Sequence, residues 1–298
     1  MADPTEIRTV AFLGLGIMGG PMARNLAGAG YGLRVWSRTP AKVERFAAEH
    51  GAHAAPTPAG AAAGADALVT MVPDAPEVEA VLFGEHGAAA ALAPGVLCID
   101  MSTIAPTRSR AIGERLERLG VPFLDAPVTG SRPKAEDATL TIMVGGEAAA
   151  FLRARPLLES MGRLVLHVGP QGHGSMTKLV NNVVAAMNAA ALAEALVLAR
   201  AAGLELDKVV EVMRAGAGAS TMLDLKARPM LEHDFEPLFK LEHMLKDVRH
   251  CLAEGRALGV ELPLAELAER LYARAAGAGH GEDDFAAVVT VAEAVAPA

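Results

Sequence analysis

The stretch TVAFLGLGIMGG, residues 9–20, decides the fold. Its first five residues are a threonine and four apolar residues, a composition typical of a buried strand, and the glycine-rich run GLGIMG follows at residues 14–19. Helical spacing then continues from residue 18 to 28. In this order Gly14 permits a tight turn, Gly16 lets a pyrophosphate approach the backbone, and Gly19 lets helix and strand pack closely. The stretch therefore predicts a dinucleotide-binding loop whose anion sits at a helix N-terminus.

Strand-like and helix-like stretches alternate through the first half of the chain. The predicted strands are residues 9–13, 33–37, 67–72, 96–100, 123–127 and 140–144, and the helices between them include 18–28, 41–50 and 107–119. This alternation predicts βαβ units around a parallel sheet. From residue 174 onward we find only helical periodicity, at 175–202, 206–215, 239–257, 264–276 and 284–294. We expect an α/β Rossmann dinucleotide-binding domain at residues 1–172, followed by an all-α C-terminal domain at 173–298.

Composition excludes several classes of function. The 298 residues carry a net charge of −8 and only 4% aromatic residues, which disfavours nucleic-acid binding. Polar and charged residues interrupt the longest apolar stretch, residues 176–202, so we expect no membrane span. The cysteines Cys98 and Cys251 cannot form a disulfide framework, and no motif predicts a metal site. These features favour a reducing, cytoplasmic location.

The end of the second predicted strand indicates which cofactor binds. NAD enzymes place an acidic residue there to bind the ribose 2′-hydroxyl, whereas this chain has Ser37-Arg38-Thr39. Arg38 can make a charge-assisted contact to a 2′-phosphate, and the two hydroxyls can add donors. We therefore expect NADP(H) to be favoured over NAD(H).

The start of the long helix carries the candidate catalytic group. Lys178 and Asn182 are four residues apart, so they lie on one helix face. Hydride transfer to or from a carbonyl needs a group that moves the hydroxyl proton, and a lysine can do this.

Five motifs, in order, give the chain a resemblance that covers nearly its whole length. They are GLGIMGGPMARNL at 14–26, PDAPEVEAVLFG at 73–84, DAPVTGS at 125–131 continuing to TLTIMVGG at 139–146, GHGSMTKLVNN at 172–182 and FKLEHMLKD at 239–247. The chain resembles the β-hydroxyacid dehydrogenase family, which includes 3-hydroxyisobutyrate dehydrogenase, tartronate semialdehyde reductase and glyoxylate/succinic semialdehyde reductase.

The resemblance implies a role for each matching position. Lys178 matches the catalytic lysine, which donates the proton to the carbonyl oxygen during reduction. The expected substrate-binding residues are Thr129, Gly130, Ser131, Asn182, Phe239 and Asp247. The expected cofactor-binding residues, which include those of the glycine loop and of the second strand's end, are Gly14, Gly16, Ile17, Met18, Gly19, Ser37, Arg38, Thr39, Val72, Pro73, Thr103 and Lys246.

The motifs differ in the branch of the family that they favour. Thr129 stands where most members have serine, and Ser131 where many have glycine. The run SRPKAED at 131–137 resembles glyoxylate/succinic semialdehyde reductases, whereas residues 73–84 and 139–146 suit the tartronate semialdehyde and 3-hydroxyisobutyrate enzymes equally well. The expected activity is NADPH-dependent reduction of small semialdehydes or glyoxylate, reversibly a β-hydroxyacid dehydrogenase reaction.

Four alternatives stay open. Two are an NAD(P)-dependent 3-hydroxyisobutyrate dehydrogenase and a tartronate semialdehyde reductase. The other two are an imine reductase and a non-catalytic binding module, and Lys178 counts against both. The expected partners are a small aldehyde or hydroxy acid and further copies of the chain, in a homodimer or homotetramer.

Overall fold

The structure is a computed structural model that describes residues 6–294. It divides at Lys178 and Leu179 into two compact units. The predicted boundary after residue 172 lies six residues earlier, just before the helix that carries the division. The first five residues of the predicted N-terminal domain and the last four of the C-terminal one lie outside the described residues.

The first unit contains a nine-stranded sheet. The strands are β1 (Thr9–Leu13), β2 (Gly32–Trp36), β3 (His53–Ala54), β4 (Ala67–Thr70), β5 (Leu97–Asp100), β6 (Phe123–Asp125), β7 (Val128–Thr129), β8 (Leu140–Gly145) and β9 (Gly162–Gly169). Their order is β3-β2-β1-β4-β5-β6-β8-β7, with β9 also paired to β8. The first six strands of this order, from β3 through β1 to β6, run parallel. Their carboxyl ends therefore share one edge of the sheet, and this is the edge at which α/β sheets bind ligands.

The predicted parallel sheet is confirmed for the six strands from β3 to β6 in this order, but the sheet is not parallel throughout. β8 runs antiparallel to both β6 and β7, so the sheet is mixed. The chain reverses between β7 and β8 after the short helix at residues 131–136, and strand direction is a long-range property that residue periodicity does not contain.

Helices cover both faces of this sheet. They are α1 (Gly19–Gly28), α2 (Pro40–His50), α3 (Pro58–Ala62), α4 (Ala75–Phe83), α5 (Pro106–Glu117), α6 (Ser131–Glu136) and α7 (Ala148–Glu159), with a 3₁₀ helix at Ala88–Ala91. Strand β1 shows that both faces of the sheet are buried. Val10 and Phe12 belong to one apolar cluster, and Ala11 and Leu13 belong to another. Side chains that alternate between two buried faces produce the continuous apolar run seen in the sequence.

The second unit is helical. Helix α8 (His173–Ala201) leads into it, and α9 (Leu206–Ala215), α10 (Thr221–Glu232), α11 (Leu241–Ala257) and α12 (Pro263–Ala275) follow, then a π-helical turn (Ala276–His280), a 3₁₀ helix (Phe285–Val288) and α13 (Val289–Glu293). The single helix expected at 284–294 is thus a 3₁₀ helix followed by an α-helix. The expected helix at 239–257 begins two residues later, at Leu241.

Among the residues that the structure describes, one helix, α8, is long and apolar enough to span a membrane. Half of its most apolar 18-residue window is buried within the protein, and the core helix of a water-soluble protein meets the same criterion. The polar residues Ser175, Lys178 and Asn182 are buried along it. Length and composition are therefore weak support for a membrane span here.

Asp284 has two structural roles in the helical unit. It caps the 3₁₀ helix by accepting from the Ala286 N–H (2.9 Å), and it is also the partner of Lys226 (Nζ–Oδ1 2.7 Å). Both side chains are 3% exposed. A buried carboxylate needs such a counter-ion, since desolvating an unpaired charge is costly.

Candidate active site

The loop after β1 leaves one of its three glycines open to a ligand. Gly14 has a φ of +110°, and a Cβ there would overlap the Met71 carbonyl oxygen. A Cβ at Gly19 would overlap the Gly14 carbonyl oxygen, so packing requires both of these glycines. A Cβ at Gly16 would meet no atom within 4 Å. The loop therefore fits a dinucleotide, because Gly16 leaves room for a phosphate beside the N-terminus of α1.

Two further loop residues border this space. Ile17 is 48% exposed, although it is large and apolar. Met18 is the N-cap residue of α1 and makes no side-chain hydrogen bond to the first turn. The helix start thus has no side-chain acceptor from its own N-cap, and this leaves its first N–H groups available to an anion.

The residues that follow β2 lie beside the glycine loop. The Gly14 N–H donates to the Trp36 carbonyl oxygen (2.8 Å), at the end of β2. Ser37 is half-buried, and Arg38 and Thr39 are exposed. Within residues 6–294, no ion pair or hydrogen bond engages the Arg38 side chain. This end of the strand thus presents a cation and two hydroxyls, with no carboxylate among the three residues.

The ends of β4 and β5 hold three of the expected cofactor residues. Val72 and Pro73 follow β4, and Thr103 follows β5. The two ends are joined because the Val72 N–H donates to Ser102 Oγ (3.0 Å), and the Ser102 N–H donates to Asp100 Oδ1 (3.1 Å). Asp100 thus supports the loop, and its burial raises the pKa of its carboxyl to about 6.

The expected substrate loop begins a short helix that packs on the cofactor helix. Thr129 ends β7, Gly130 has a φ of +136°, and Ser131 is the first residue of α6 with a φ of +56°. Asn25 of α1 donates from Nδ2 to the Ala135 carbonyl oxygen (2.7 Å). The structure therefore joins the substrate loop to the helix that follows the glycine loop.

The start of α8 is held by a carboxylate that sequence reasoning did not single out. Asp125, at the end of β6, accepts from the Gly172 N–H (2.8 Å), the Ser175 N–H (2.7 Å) and Gln171 Nε2 (2.8 Å). Burial raises the pKa of the Asp125 carboxyl, and these hydrogen bonds oppose that rise. Lys178 follows one turn later and is 7% exposed. The available signal was an acidic residue at the end of a strand, as the first residue of the DAPVTGS motif.

In the helical unit, three of the expected site residues lie together. Asn182 of α8 donates from Nδ2 to Asp247 Oδ2 (2.7 Å), and Lys246 Nζ lies 3.2 Å from Asp247 Oδ1. Phe239 is held separately, since its N–H donates to the Asp284 carboxylate (3.1 Å). Asp247 therefore orients both an amide and a lysine on neighbouring helices.

The site residues thus fall into one group in each unit. Lys178, the glycine loop, the strand ends and the substrate loop belong to the first, and Asn182, Phe239, Lys246 and Asp247 belong to the second. Within residues 6–294, no group of three or more histidine, cysteine or acidic side chains could hold a metal ion. What the arrangement can do is bind an anionic dinucleotide and supply an amine for proton transfer.

Comparison with known proteins gives the family. Residues 9–169 match the NAD binding domain of 6-phosphogluconate dehydrogenase, and residues 172–292 match the NAD-binding domain of NADP-dependent 3-hydroxyisobutyrate dehydrogenase. The 2-hydroxy-3-oxopropionate reductase of Escherichia coli is 37% identical over 96% of this chain and 98% of its own. The chain belongs to the β-hydroxyacid dehydrogenase family.

Other members of the β-hydroxyacid dehydrogenase family are similar over the same length. The NAD-dependent L-serine dehydrogenase of Pseudomonas aeruginosa is 37% identical over 95% of this chain and 97% of its own. The solved structure of the 3-hydroxyisobutyrate dehydrogenase of Mycobacterium tuberculosis with L-serine has a TM-score of 0.87, is 36% identical, and covers 95% of this chain and 98% of its own. This β-hydroxyacid dehydrogenase is an NAD(P)-dependent oxidoreductase that acts on the CH–OH group of hydroxy acids.

Proposed function

We propose that the protein reduces small semialdehydes or glyoxylate with NADPH, and oxidises the corresponding hydroxy acids in reverse, with Lys178 as proton donor and acceptor. The observation that carries this proposal is the placement of Lys178. It lies one turn into a helix that is fastened to the end of β6 by Asp125. That end belongs to the same sheet edge as the glycine loop after β1.

Lys178 is suited to proton transfer by its type and its burial. A bound nicotinamide supplies the hydride in reduction and takes it in oxidation. The Lys178 ammonium donates a proton to the carbonyl oxygen, which becomes the hydroxyl, and the neutral amine takes that proton back in the reverse direction. At 7% exposure the Lys178 side chain is largely removed from water, and a lysine amine can act as a proton donor or acceptor there.

The substrate loop supports a substrate with a carboxylate. Thr129 and Ser131 offer hydroxyls, and the backbone N–H groups around Gly130 offer further donors. The Lys134 side chain lies over Gly130, where a Cβ would come within 2.7 Å of the Lys134 Cβ. This lysine places positive charge next to the loop, which suits a 2-oxo acid or a semialdehyde acid.

The same loop also suits 2-hydroxy-3-oxopropionate, the compound in the name of the Escherichia coli relative. That protein is a 2-hydroxy-3-oxopropionate reductase, and its identity of 37% over nearly the whole chain favours the three-carbon semialdehyde as second candidate. This compound is also a small aldehyde with a carboxylate. The chemistry of the loop does not distinguish the two candidate substrates, so the rates at which the enzyme converts them must be compared.

The cofactor preference that we propose, NADPH over NADH, rests on Arg38. Its side chain is exposed beside the glycine loop and is not engaged by another described residue. A ribose 2′-phosphate offers a guanidinium a charge-assisted partner, whereas a 2′-hydroxyl does not.

We further propose that the protein forms a homodimer or homotetramer through its helical unit. Helix α9 has no buried residue, although its Val212 is apolar and 71% exposed. Further exposed apolar residues of this unit are Val180, Val184, Leu198 and Leu204. Apolar surface of this kind is typical of an interface with another chain, and light scattering after size exclusion measures the assembly.

Initial rates of NADPH and NADH oxidation at 340 nm test the activity. The substrates are glyoxylate, succinic semialdehyde, 2-hydroxy-3-oxopropionate and methylmalonate semialdehyde, assayed in parallel. We expect one of them to turn over with NADPH at least about tenfold better than with NADH, as expected for one lost charge-assisted contact. A preference for NADH would contradict the argument from Arg38.

Two variants of Lys178 test its role. Lys178→Ala removes the proton donor, and Lys178→Arg keeps a positive charge that cannot be released near neutral pH. We expect both to lower kcat by about 10²–10⁴-fold, the range for lost acid–base catalysis, while NADPH still binds. A Lys178→Arg enzyme with normal kcat would show that the lysine supplies only charge.

A further inference from the structure

The N-terminus of α8 lacks a cap of its own. Its first turn follows Gly172, which has a φ of +90° and no side chain that could accept hydrogen bonds from the first N–H groups. The Gly172 carbonyl oxygen accepts from the Met176 N–H (2.9 Å), which makes Gly172 the residue at the cap position. A helix of 29 residues thus begins without the serine, threonine or aspartate that usually satisfies these donors.

Asp125 supplies the missing acceptors from another element. Its Oδ2 accepts from the Ser175 N–H at 2.7 Å, and its Oδ1 accepts from the Gly172 N–H at 2.8 Å. Gln171 Nε2 donates to the same Oδ1 and also to Ser109 Oγ. Both carboxylate oxygens of Asp125 are therefore hydrogen-bonded. Asp125 is 1% exposed, and water therefore cannot replace it as a cap.

Two glycines let the helix and the sheet come close enough for these bonds. A Cβ at Gly145 would overlap Asp125 Oδ1, and a Cβ at Gly174 would overlap the Asp125 carbonyl oxygen. Neither glycine has a left-handed φ, so the requirement there is space and not backbone conformation. Gly145 at the end of β8 and Gly174 at the start of α8 therefore both make room for the contact between Asp125 and α8.

We propose that Asp125 is the positioning residue for the proton-transfer lysine. This proposal rests on the proposed role of Lys178. Ser175, the last residue that Asp125 holds, is three residues before Lys178, which is about 4.5 Å along the helix axis. The bonds therefore fix where the lysine's backbone lies relative to the carboxyl edge of the sheet. A misplacement of about 1 Å at a reacting group can lower a rate about 100-fold.

Asp125 lies far from the glycine loop, where we expect the pyrophosphate of the cofactor to bind. Three strand spacings lie between β1, which carries the glycine loop, and β6, which carries Asp125. This is about 14 Å across the sheet. A change at Asp125 should therefore affect kcat and leave the affinity for NADPH unchanged.

The decisive variant is Asp125→Asn. Asparagine keeps one oxygen for Gly172 and Gln171, and its NH₂ group then faces the Ser175 N–H, where two donors cannot bond. We expect faster hydrogen exchange in the peptide that covers residues 172–178, a kcat lowered about 10–100-fold, and a dissociation constant for NADPH within twofold of wild type.

Ser220→Ala is the matched control. Ser220 caps α10 through the Leu223 N–H (3.0 Å), so this variant also loses a helix cap, but far along the chain from α8. We expect its melting temperature to fall while kcat stays within twofold of wild type. If both variants lower kcat in proportion to stability, Asp125 is a structural residue and the proposal is wrong.

The remaining outcomes are also decisive. If Asp125→Asn exchanges faster at 172–178 and still has the wild-type kcat, the positioning role is refuted. If Asp125→Asn does not fold, Gln171→Met removes one of the donors to Asp125 and should give a smaller fall in kcat with unchanged NADPH binding. Hydrogen exchange does not depend on the reaction, so a wild type that reduces none of the aldehydes refutes the proposed function while the exchange result still tests the cap.

Discussion

Replacing Gly16 by alanine tests whether the loop after β1 receives a phosphate. In the protein alone this substitution meets no obstacle, because a Cβ at Gly16 has no atom within 4 Å and the residue has no left-handed φ. Alanine in place of glycine at such a position raises stability by about 0.4–1 kcal/mol, since the unfolded chain loses freedom. We therefore expect a melting temperature about 1–4 °C higher.

The expected effect on cofactor binding is opposite in sign. A methyl group at residue 16 occupies the space through which a phosphate reaches the backbone. Loss of one charge-assisted hydrogen bond costs about 1.5–3 kcal/mol, and each 1.4 kcal/mol changes an equilibrium constant tenfold. The dissociation constant for NADPH, measured by its fluorescence enhancement, should rise by about 10–100-fold.

Gly28→Ala is the control for this substitution. A Cβ at Gly28 also meets nothing within 4 Å, but this residue ends α1, about 13 Å along the helix from Gly19. It should leave NADPH affinity unchanged. If Gly16→Ala binds NADPH as tightly as Gly28→Ala does, the phosphate does not approach residue 16 and the assignment of the loop is wrong.

Three further substitutions test separate features. Arg38→Ala should raise KM for NADPH about tenfold and change KM for NADH by less than twofold, in initial-rate assays, because it removes the cation beside the glycine loop. Lys226→Met leaves the buried carboxylate of Asp284 without its counter-ion, so the free energy of unfolding in urea should fall by about 3–5 kcal/mol. Burial raises the pKa of Asp100 to about 6, so its charge opposes folding above pH 6, and this penalty is lost as the pH falls from 6 towards the ordinary value of 3.8. Asp100→Asn should therefore raise the melting temperature at pH 7.5, and about half of that gain should be lost at pH 5.

Each of these substitutions has a result that contradicts its reasoning. Equal loss of NADH and NADPH use in Arg38→Ala would mean that the guanidinium does not distinguish the two cofactors. A Lys226→Met protein as stable as wild type would mean that Asp284 needs no counter-ion. A gain in Asp100→Asn that is the same at both pH values would show that charge is not its cause.

Local patterns in the sequence predicted most elements. Helix α9 has the predicted bounds, and the glycine loop lies where the strand and helix patterns placed it. Both depend on residues that are neighbours in the chain. The sequence does not predict strand β9, because the apolar residues 164–166 do not alternate with polar ones and are bounded by Arg163 and His167. Helix α10 was missed because it contains a proline and the buried Lys226, whose partner is 58 residues away.

The same limit applies to the site. The residues of the glycine loop could be identified because each acts on its neighbours. The hydrogen bonds of Asp125 could not be predicted, since its partners are 46 to 50 residues away and only folding brings them together. Asp247 was expected to line the site, but the sequence could not show that it holds Asn182, which is 65 residues away.

The bond between Asn25 and residue 135 has a consequence for how new substrate preferences can arise. It joins a side chain of α1 to a backbone carbonyl of α6, and a carbonyl is present whichever amino acid occupies that position. Only a small side chain is required at 135, where Ala135 is fully buried. The exposed residues 132–134 can therefore be substituted while α6 stays attached to α1. Evolution or protein engineering can thus change the surface of this short helix without detaching the substrate loop.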